Sequence, residues 1–178
     1  MSIGKKKFMI IISIGLNIIF IVCLYLLYQE NTDMKKGAIR QYSLQQNELL
    51  LNLETAIRHQ DDKVDYVNSL VGAYANTNHN FYLTSEYYSA TNYLNIPKNI
   101  SILNSPTVSS IIVQSLNNRI TDKSDKDVEQ EFKTYISQVS QVVDTLDFVN
   151  NINGKSLKEQ YKTLDEVSDL IDGFNLRR

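Results

Sequence analysis

The sequence predicts an all-α protein: a single N-terminal transmembrane helix followed by an antiparallel bundle of four or five helices. Three observations carry that expectation. The run Phe8 to Tyr28, FMIIISIGLNIIFIVCLYLLY, holds no charge, and only Ser13 and Asn17 are distinctly polar within it. Further on, Val128, Phe132, Tyr135, Val139, Val142, Leu146 and Val149 step by 4, 3, 4, 3, 4, 3, which is the spacing of one helix face. After these, Ser156-Leu157-Lys158-Glu159 matches a capping box, a serine with a glutamate three residues on, at the start of another apolar-periodic segment.

The chain divides into a short cytoplasmic arm at 1–7, an apolar helix at 8–28 and a domain-sized piece at 29–178. About 20 apolar residues at 1.5 Å each cross a ~30 Å hydrocarbon core, so residues 8–28 are expected to meet the lipid bilayer. The stretch outruns the h-region of a cleaved signal peptide, and Tyr28-Gln29-Glu30-Asn31-Thr32-Asp33 offers no small-residue cleavage site. A lipobox at Cys23 does not fit, because bulky Val22 precedes it and apolar sequence continues beyond it; the thiol reads as a small hydrophobe. Orientation follows the basic residues beside the span. Lys5, Lys6 and Lys7 stand before it, whereas Glu30 and Asp33 come first after it, ahead of Lys35, Lys36 and Arg40. The expected topology is therefore N-terminus in the cytoplasm and C-terminal domain outside the cell membrane. Asn17, in mid-span, is expected to bond back to its own helix rather than to a partner.

From Met34 to Tyr74 the chain is periodic at helical spacing. Leu50, Ile57, Val64 and Val71 recur every seven residues, and Leu53, Gln60, Val67 and Tyr74 interleave with them. The polar stretch Arg58 to Lys63 is either a break, with Asp61 or Asp62 capping a second helix, or the solvated part of one long helix. Gly37 is the one weak point on the side of the apolar run. Asn76 to Asn80 reads as a loop by composition. A short helix is expected from Ser85 to Leu94, and a loop with an extended piece at Ile100 to Leu103. Ser105-Pro106 reads as an N-cap followed by proline at the first helical position, with Val108, Ile111, Ile112, Ser115 and Leu116 as the buried stripe and an end near Asn117-Asn118. Ser124 is the expected cap of the helix Asp125–Val149. Asn150 to Gly154 ends that helix with residues that tolerate left-handed backbone. The last helix carries Leu157, Tyr161, Leu164, Val167, Ile171 and Phe174. Its connection to the preceding helix is short, so the two are expected to be antiparallel neighbours.

Composition excludes several function classes. A piece of 150 residues buries enough surface to fold without metal or disulfide, and Cys23 is the only cysteine in the chain, which leaves no disulfide scaffold and no cysteine zinc site. All 20 acidic residues and all but three of the 18 basic ones follow Tyr28, a net charge of about −5 over 29–178 with no basic stripe, so no nucleic acid is expected as a partner. Abundant Asn, Ile, Lys and Tyr with no Trp is the bias of an AT-rich bacterial genome.

No serine-hydrolase elbow, zinc helix, phosphate loop or dinucleotide fingerprint occurs. His59, Asp61, Asp62 and Asp65 fall within two helical turns, but aspartates at a helix junction more often cap than coordinate, and no cofactor or metal is expected. Two surfaces stand out as partner or ligand contacts. Tyrosines and a phenylalanine gather at Tyr74, Phe81, Tyr82, Tyr87, Tyr88 and Tyr93, and of these Tyr82 and Tyr88 are the rings expected to be exposed. The last helix has Lys158 and Lys162 near its start and Asp169 and Asp172 near its end, the reverse of what the helix dipole favours, as a bipolar docking face would have. The expected function is a non-enzymatic, membrane-anchored extracytoplasmic protein that binds or scaffolds another envelope protein. The alternative is a ligand-sensing ectodomain with a Tyr-lined pocket between helices, signalling through a membrane partner.

Overall fold

The computed structural model describes residues 3–85, 96–174 and 176, with the side chains of all of these except residues 3–10 and 98. Five α-helices make up most of it: α1 (Ile3–Arg58), α2 (Lys63–Thr84), α3 (Pro106–Ile120), α4 (Lys126–Leu146) and α5 (Leu157–Asp172). A 3-10 turn, Lys98–Asn104, precedes α3, and a π turn, Phe148–Ile152, follows α4. No strand occurs among the described residues. The chain is all-α, one long apolar N-terminal helix and a helical bundle.

The chain forms two compact units, Met1–Gly37 and Ala38–Arg178, a boundary nine residues beyond the end of the apolar run. In the first, α1 is long and apolar enough to cross a membrane, and its large apolar side chains from Ile11 to Leu27 are exposed. The Asn17 side-chain amide donates to the Ser13 carbonyl at 2.8 Å, which satisfies that donor within its own helix, as its spacing suggests. Helix α1 is unbroken at Gly37.

The second unit is built on five apolar seams. Helix α1 buries Ile39, Tyr42, Gln46, Leu49, Leu53 and Ala56, at steps of 3, 4, 3, 4, 3, and α2 buries Leu70, Ala73, Thr77, Asn80 and Thr84, at 3, 4, 3, 4. Helix α4 buries Phe132, Tyr135, Val139, Val142 and Leu146 along the face read from sequence. Helix α3 contributes Ile111 and Ile112, α5 contributes Leu164, Val167 and Ile171, and Ile100 and Leu103 of the 3-10 turn are fully buried. The last two residues were expected in an extended piece; they instead insert from a 3-10 turn fixed to α5. Asn99 Nδ2 donates to the Ser168 carbonyl at 2.7 Å, and Ser168 Oγ donates to Asn99 Oδ1 at 2.6 Å. Fully burying such apolar side chains contributes roughly 1.5–3 kcal/mol each.

One alternative left open by the sequence is decided, and two expectations need correction. The break between the first two helices is real, and its cap is Asp62: the carboxylate accepts from Val64 N at 2.9 Å and Asp65 N at 3.1 Å. The seven-residue set Leu50, Ile57, Val64, Val71 is not the core seam, because Val64 and Val71 are exposed and the buried seam of α1 lies one position away. Asn76 to Asn80 is not a loop but the fourth turn of α2. There Thr77 Oγ1 donates to the Tyr74 carbonyl at 2.8 Å, and Asn80 faces the core; packing overrides poor local propensity. The helix expected at Ser85 to Leu94 falls mostly outside the described residues.

The remaining punctuation agrees with the sequence apart from small shifts. Ser105 caps α3 with Pro106 at its first position, and α3 runs on to Ile120 rather than fading at Asn117. Asp125, not Ser124, caps α4; Ser124 Oγ instead donates to Glu129 Oε1 at 3.2 Å. Helix α4 stops at Asp147, three residues early, because Asp147 adopts a left-handed φ of 32° and its carboxylate accepts from Asn150 N and Nδ2. Gly154, φ +73°, completes the reversal where a Cβ would be strained. Helix α5 opens on the expected capping box and packs against α4.

Candidate functional site

The sequence-derived contact residues fall on two helices. Tyr82 is half-exposed on α2, its ring edge-on to Phe81 at 6.2 Å between centroids. Tyr88 lies outside the described residues, as do Tyr87 and Tyr93. Lys158, Lys162, Asp169 and Asp172 are all exposed on α5, and offsets of 4, 11 and 14 residues place them in one strip along it. The reversed charge order is partly offset there. Lys162 Nζ lies 3.4 Å from Glu166 Oε1, and Glu159, in the first turn, accepts from Ser156 N at 2.8 Å and Ser156 Oγ at 2.6 Å. Those bonds hold the Glu159 carboxyl below its ordinary pKa, so an anion sits where the helix dipole favours one.

A surface that residue counting on the sequence missed lies on the outer side of α2. Val64 is 66 % exposed, Val71 53 %, Tyr74 39 % and Tyr82 50 %. With Ala75 these follow a helical strip opposite the buried seam of Leu70, Ala73, Thr77, Asn80 and Thr84. Helix α2 thus has a buried seam of mixed polarity and, on its other side, exposed apolar side chains. From Tyr66 to Thr84 it contains no Asp, Glu, Lys or Arg. A helix with a solvated outer face normally carries charge there. That nineteen-residue gap was visible in the sequence, and the seven-residue recurrence of Val64 and Val71 is the signature of this bare strip rather than of the core.

Inside the bundle, polar side chains are packed without partners. Tyr42, Gln46, Asn80 and Asn104 are fully buried; the amide atoms of Asn80 and Asn104 have no hydrogen-bond partner among the described residues, and the Tyr42 hydroxyl has only the Gln46 side chain, one turn on, beside it. The Tyr135 hydroxyl is likewise unbonded. Burial raises the pKa of both phenols, and each is held neutral. The Gln41–His79 side-chain contact at 3.1 Å places Tyr42 and Asn80 in the same stretch of the α1–α2 interface, and Gly72 lets the two helices approach, since a Cβ there would meet Asn52 at 3.1 Å.

A third feature is a cleft of about 450 Å³ where the α1–α2 and α3–α4 turns meet. Lys63 Nζ joins the two turns through Asp122 Oδ1 at 3.0 Å and the Ile120 carbonyl at 3.2 Å. Asp122 holds a left-handed φ of 52° to do so, a conformation aspartate tolerates better than most residues. The aspartates first considered for metal binding lie beside this turn. Asp62 is committed to its cap, His59 Nδ1 stands 3.9 Å from Asp65 Oδ2, and no three His, Cys, Asp or Glu side chains converge among the described residues. Comparison of the chain with protein-family models, curated proteins and solved structures gives no match.

Proposed function

We propose that the chain is a membrane-anchored, non-enzymatic extracytoplasmic protein that scaffolds another envelope protein, and that the outer face of α2 is the docking surface. Residues 8–28 serve as the anchor, with Lys5, Lys6 and Lys7 kept in the cytoplasm. The observation that supports this reading is the exposed apolar strip of Val64, Val71 and Tyr74 on a helix without charge from Tyr66 to Thr84. Depletion of charge with tyrosine enriched is the composition of an interface centre. A strip of β-branched and aromatic side chains at helical spacing fits an apolar helix of the partner lying along it. The occupant is thus an envelope protein with an uncharged amphipathic helix of its own.

The test is a photo-crosslinking amino acid placed at Val71 in the full-length protein in cell membranes. One stoichiometric adduct is expected, and Val71→Lys with Tyr82→Lys should abolish co-purification of that partner while leaving the melting temperature within a few degrees. Crosslinking only to lipid or to a second copy of this chain, or a partner retained by the double variant, would sink the proposal. The alternative of ligand sensing draws support from the cleft between the turns. Among the described tyrosines Tyr66 lines it.

A further inference from the structure

The cleft between the α1–α2 and α3–α4 turns has one wall of charge and one of apolar side chains. Ser115 and Arg119, one turn apart on α3, face into it, and Phe132 and Val128 of α4 with Ile57 of α1 supply apolar lining. The Arg119 guanidinium lies over the Tyr66 ring at 5.7 Å, a stacking that fixes its plane. It makes no ion pair, and its Nε is buried without a hydrogen-bond partner. Ser115 is 6 % exposed, and its Oγ is also buried and unpartnered. Two neighbouring donors without a partner among the described residues, one of them part of a guanidinium, are thus packed in the wall of a cavity of ligand-binding size.

We propose that this cleft binds a small organic carboxylate, with the carboxylate on Arg119 and Ser115 and an apolar body against Phe132 and Val128. A planar guanidinium takes a carboxylate through two parallel bonds, and such charge-assisted bonds are the strong ones. The charge balance of the cleft selects a monoanion. Asp61, Asp122 and Glu129 line it along with Arg119, Lys123 and Lys133, and Lys63 pairs with Asp122, so the balance is about one positive charge, which suits a monoanion better than a phosphate dianion. Neither Asp122, paired with Lys63, nor Glu129, which accepts from Ser124, forms an ion pair with Arg119. The site shares no residue with the outer strip of α2, so its failure and that of the docking surface are separate results.

The experiment is calorimetric titration of the full-length protein in lipid nanodiscs with phenylacetate, 4-methylpentanoate and N-acetyl-leucine, each beside its neutral amide, and with inorganic phosphate. Saturable binding of at least one acid is expected, with its amide binding at least about tenfold more weakly, because a hydrogen-bonded charge is lost. Arg119→Gln should weaken the acid by about ten- to a hundredfold, and Ser115→Ala, which leaves the guanidinium in place, by about two- to tenfold. Circular dichroism establishes that each variant is folded; if Arg119→Gln is not, the amide comparison and Ser115→Ala decide. The proposal is overturned if no acid binds, if acid and amide bind alike, if phosphate binds more tightly than every acid, or if folded Arg119→Gln keeps the wild-type affinity.

Discussion

Single residues punctuate this chain more clearly than they fill it. Ser105, Asp125 and Ser156 open three helices, and Gly154 turns the chain between the last two. Ser105, Ser156 and Gly154 were readable because capping and left-handed turns demand particular side chains whatever the tertiary context; the cap of α4 was read one residue early, at Ser124 instead of Asp125. Asp147 was not, since a left-handed non-glycine residue leaves no mark in composition. Glu159 gives a pH-dependent prediction. Its carboxyl is held below the ordinary value by the Ser156 hydroxyl and amide, so it ionises more readily folded than unfolded. That stability is present above the unfolded value, about pH 4, and is lost as pH falls through the lower folded value. Glu159→Gln should lower the melting temperature at neutral pH and flatten the decline on acidification to about pH 3. Parallel melting curves for the two proteins across that range would show that the box contributes nothing.

At the scale of elements, legibility tracks how purely apolar the buried face is. Helix α4 presents Phe132, Val139, Val142 and Leu146 inward, and its stripe was read correctly as far as Leu146; Val149, the last member of the sequence stripe, is 71 % exposed beyond the helix end. Val139 is fully buried, so Val139→Asp should cost several kcal/mol and unfold the bundle at temperatures the wild type survives; unchanged melting would remove α4 from the core. Helices α1 and α2 hide their seams because Tyr42, Ser43, Gln46, Thr77, Asn80 and Thr84 face inward. Counting apolar residues therefore found the outer strip instead, and assigned the Asn-rich turn of α2 to a loop. The same polar residues carry a stability prediction. Asn80 Oδ1 and Nδ2 are both buried without partners, and a buried, unpaired amide costs about 1–3 kcal/mol. Asn80→Leu, with the same branching and number of heavy atoms, should raise the melting temperature by several degrees. A fall would mean that the amide is bonded in solution, and the layer would then have a specific role to be sought.

For the whole molecule, the proposed anchor raises the question of which side of a membrane would hold the bundle, since that determines what could reach either the α2 strip or the cleft. Charge beside the apolar run gives the argument. Lys5, Lys6 and Lys7 abut its start, whereas the first charges beyond its end are Glu30 and Asp33, with Lys35, Lys36 and Arg40 further on. Orientation is set by lysine and arginine near the span rather than by net charge, and the two sides carry equal numbers. The distinction is distance: three lysines directly abut the start of the apolar run, while the basic residues after it come behind two acids. The expected arrangement leaves the arm in the cytoplasm and residues 29–178 outside. Protease added to intact cells or wall-stripped protoplasts should then digest the bundle while a cytoplasmic marker survives. Replacing Lys5, Lys6 and Lys7 with glutamine should leave a fraction of the bundle protected, because the charge that holds the arm is gone. If the wild-type bundle is cleaved only after the membrane is opened, the orientation is reversed and the α2 strip must find its partner in the cytoplasm.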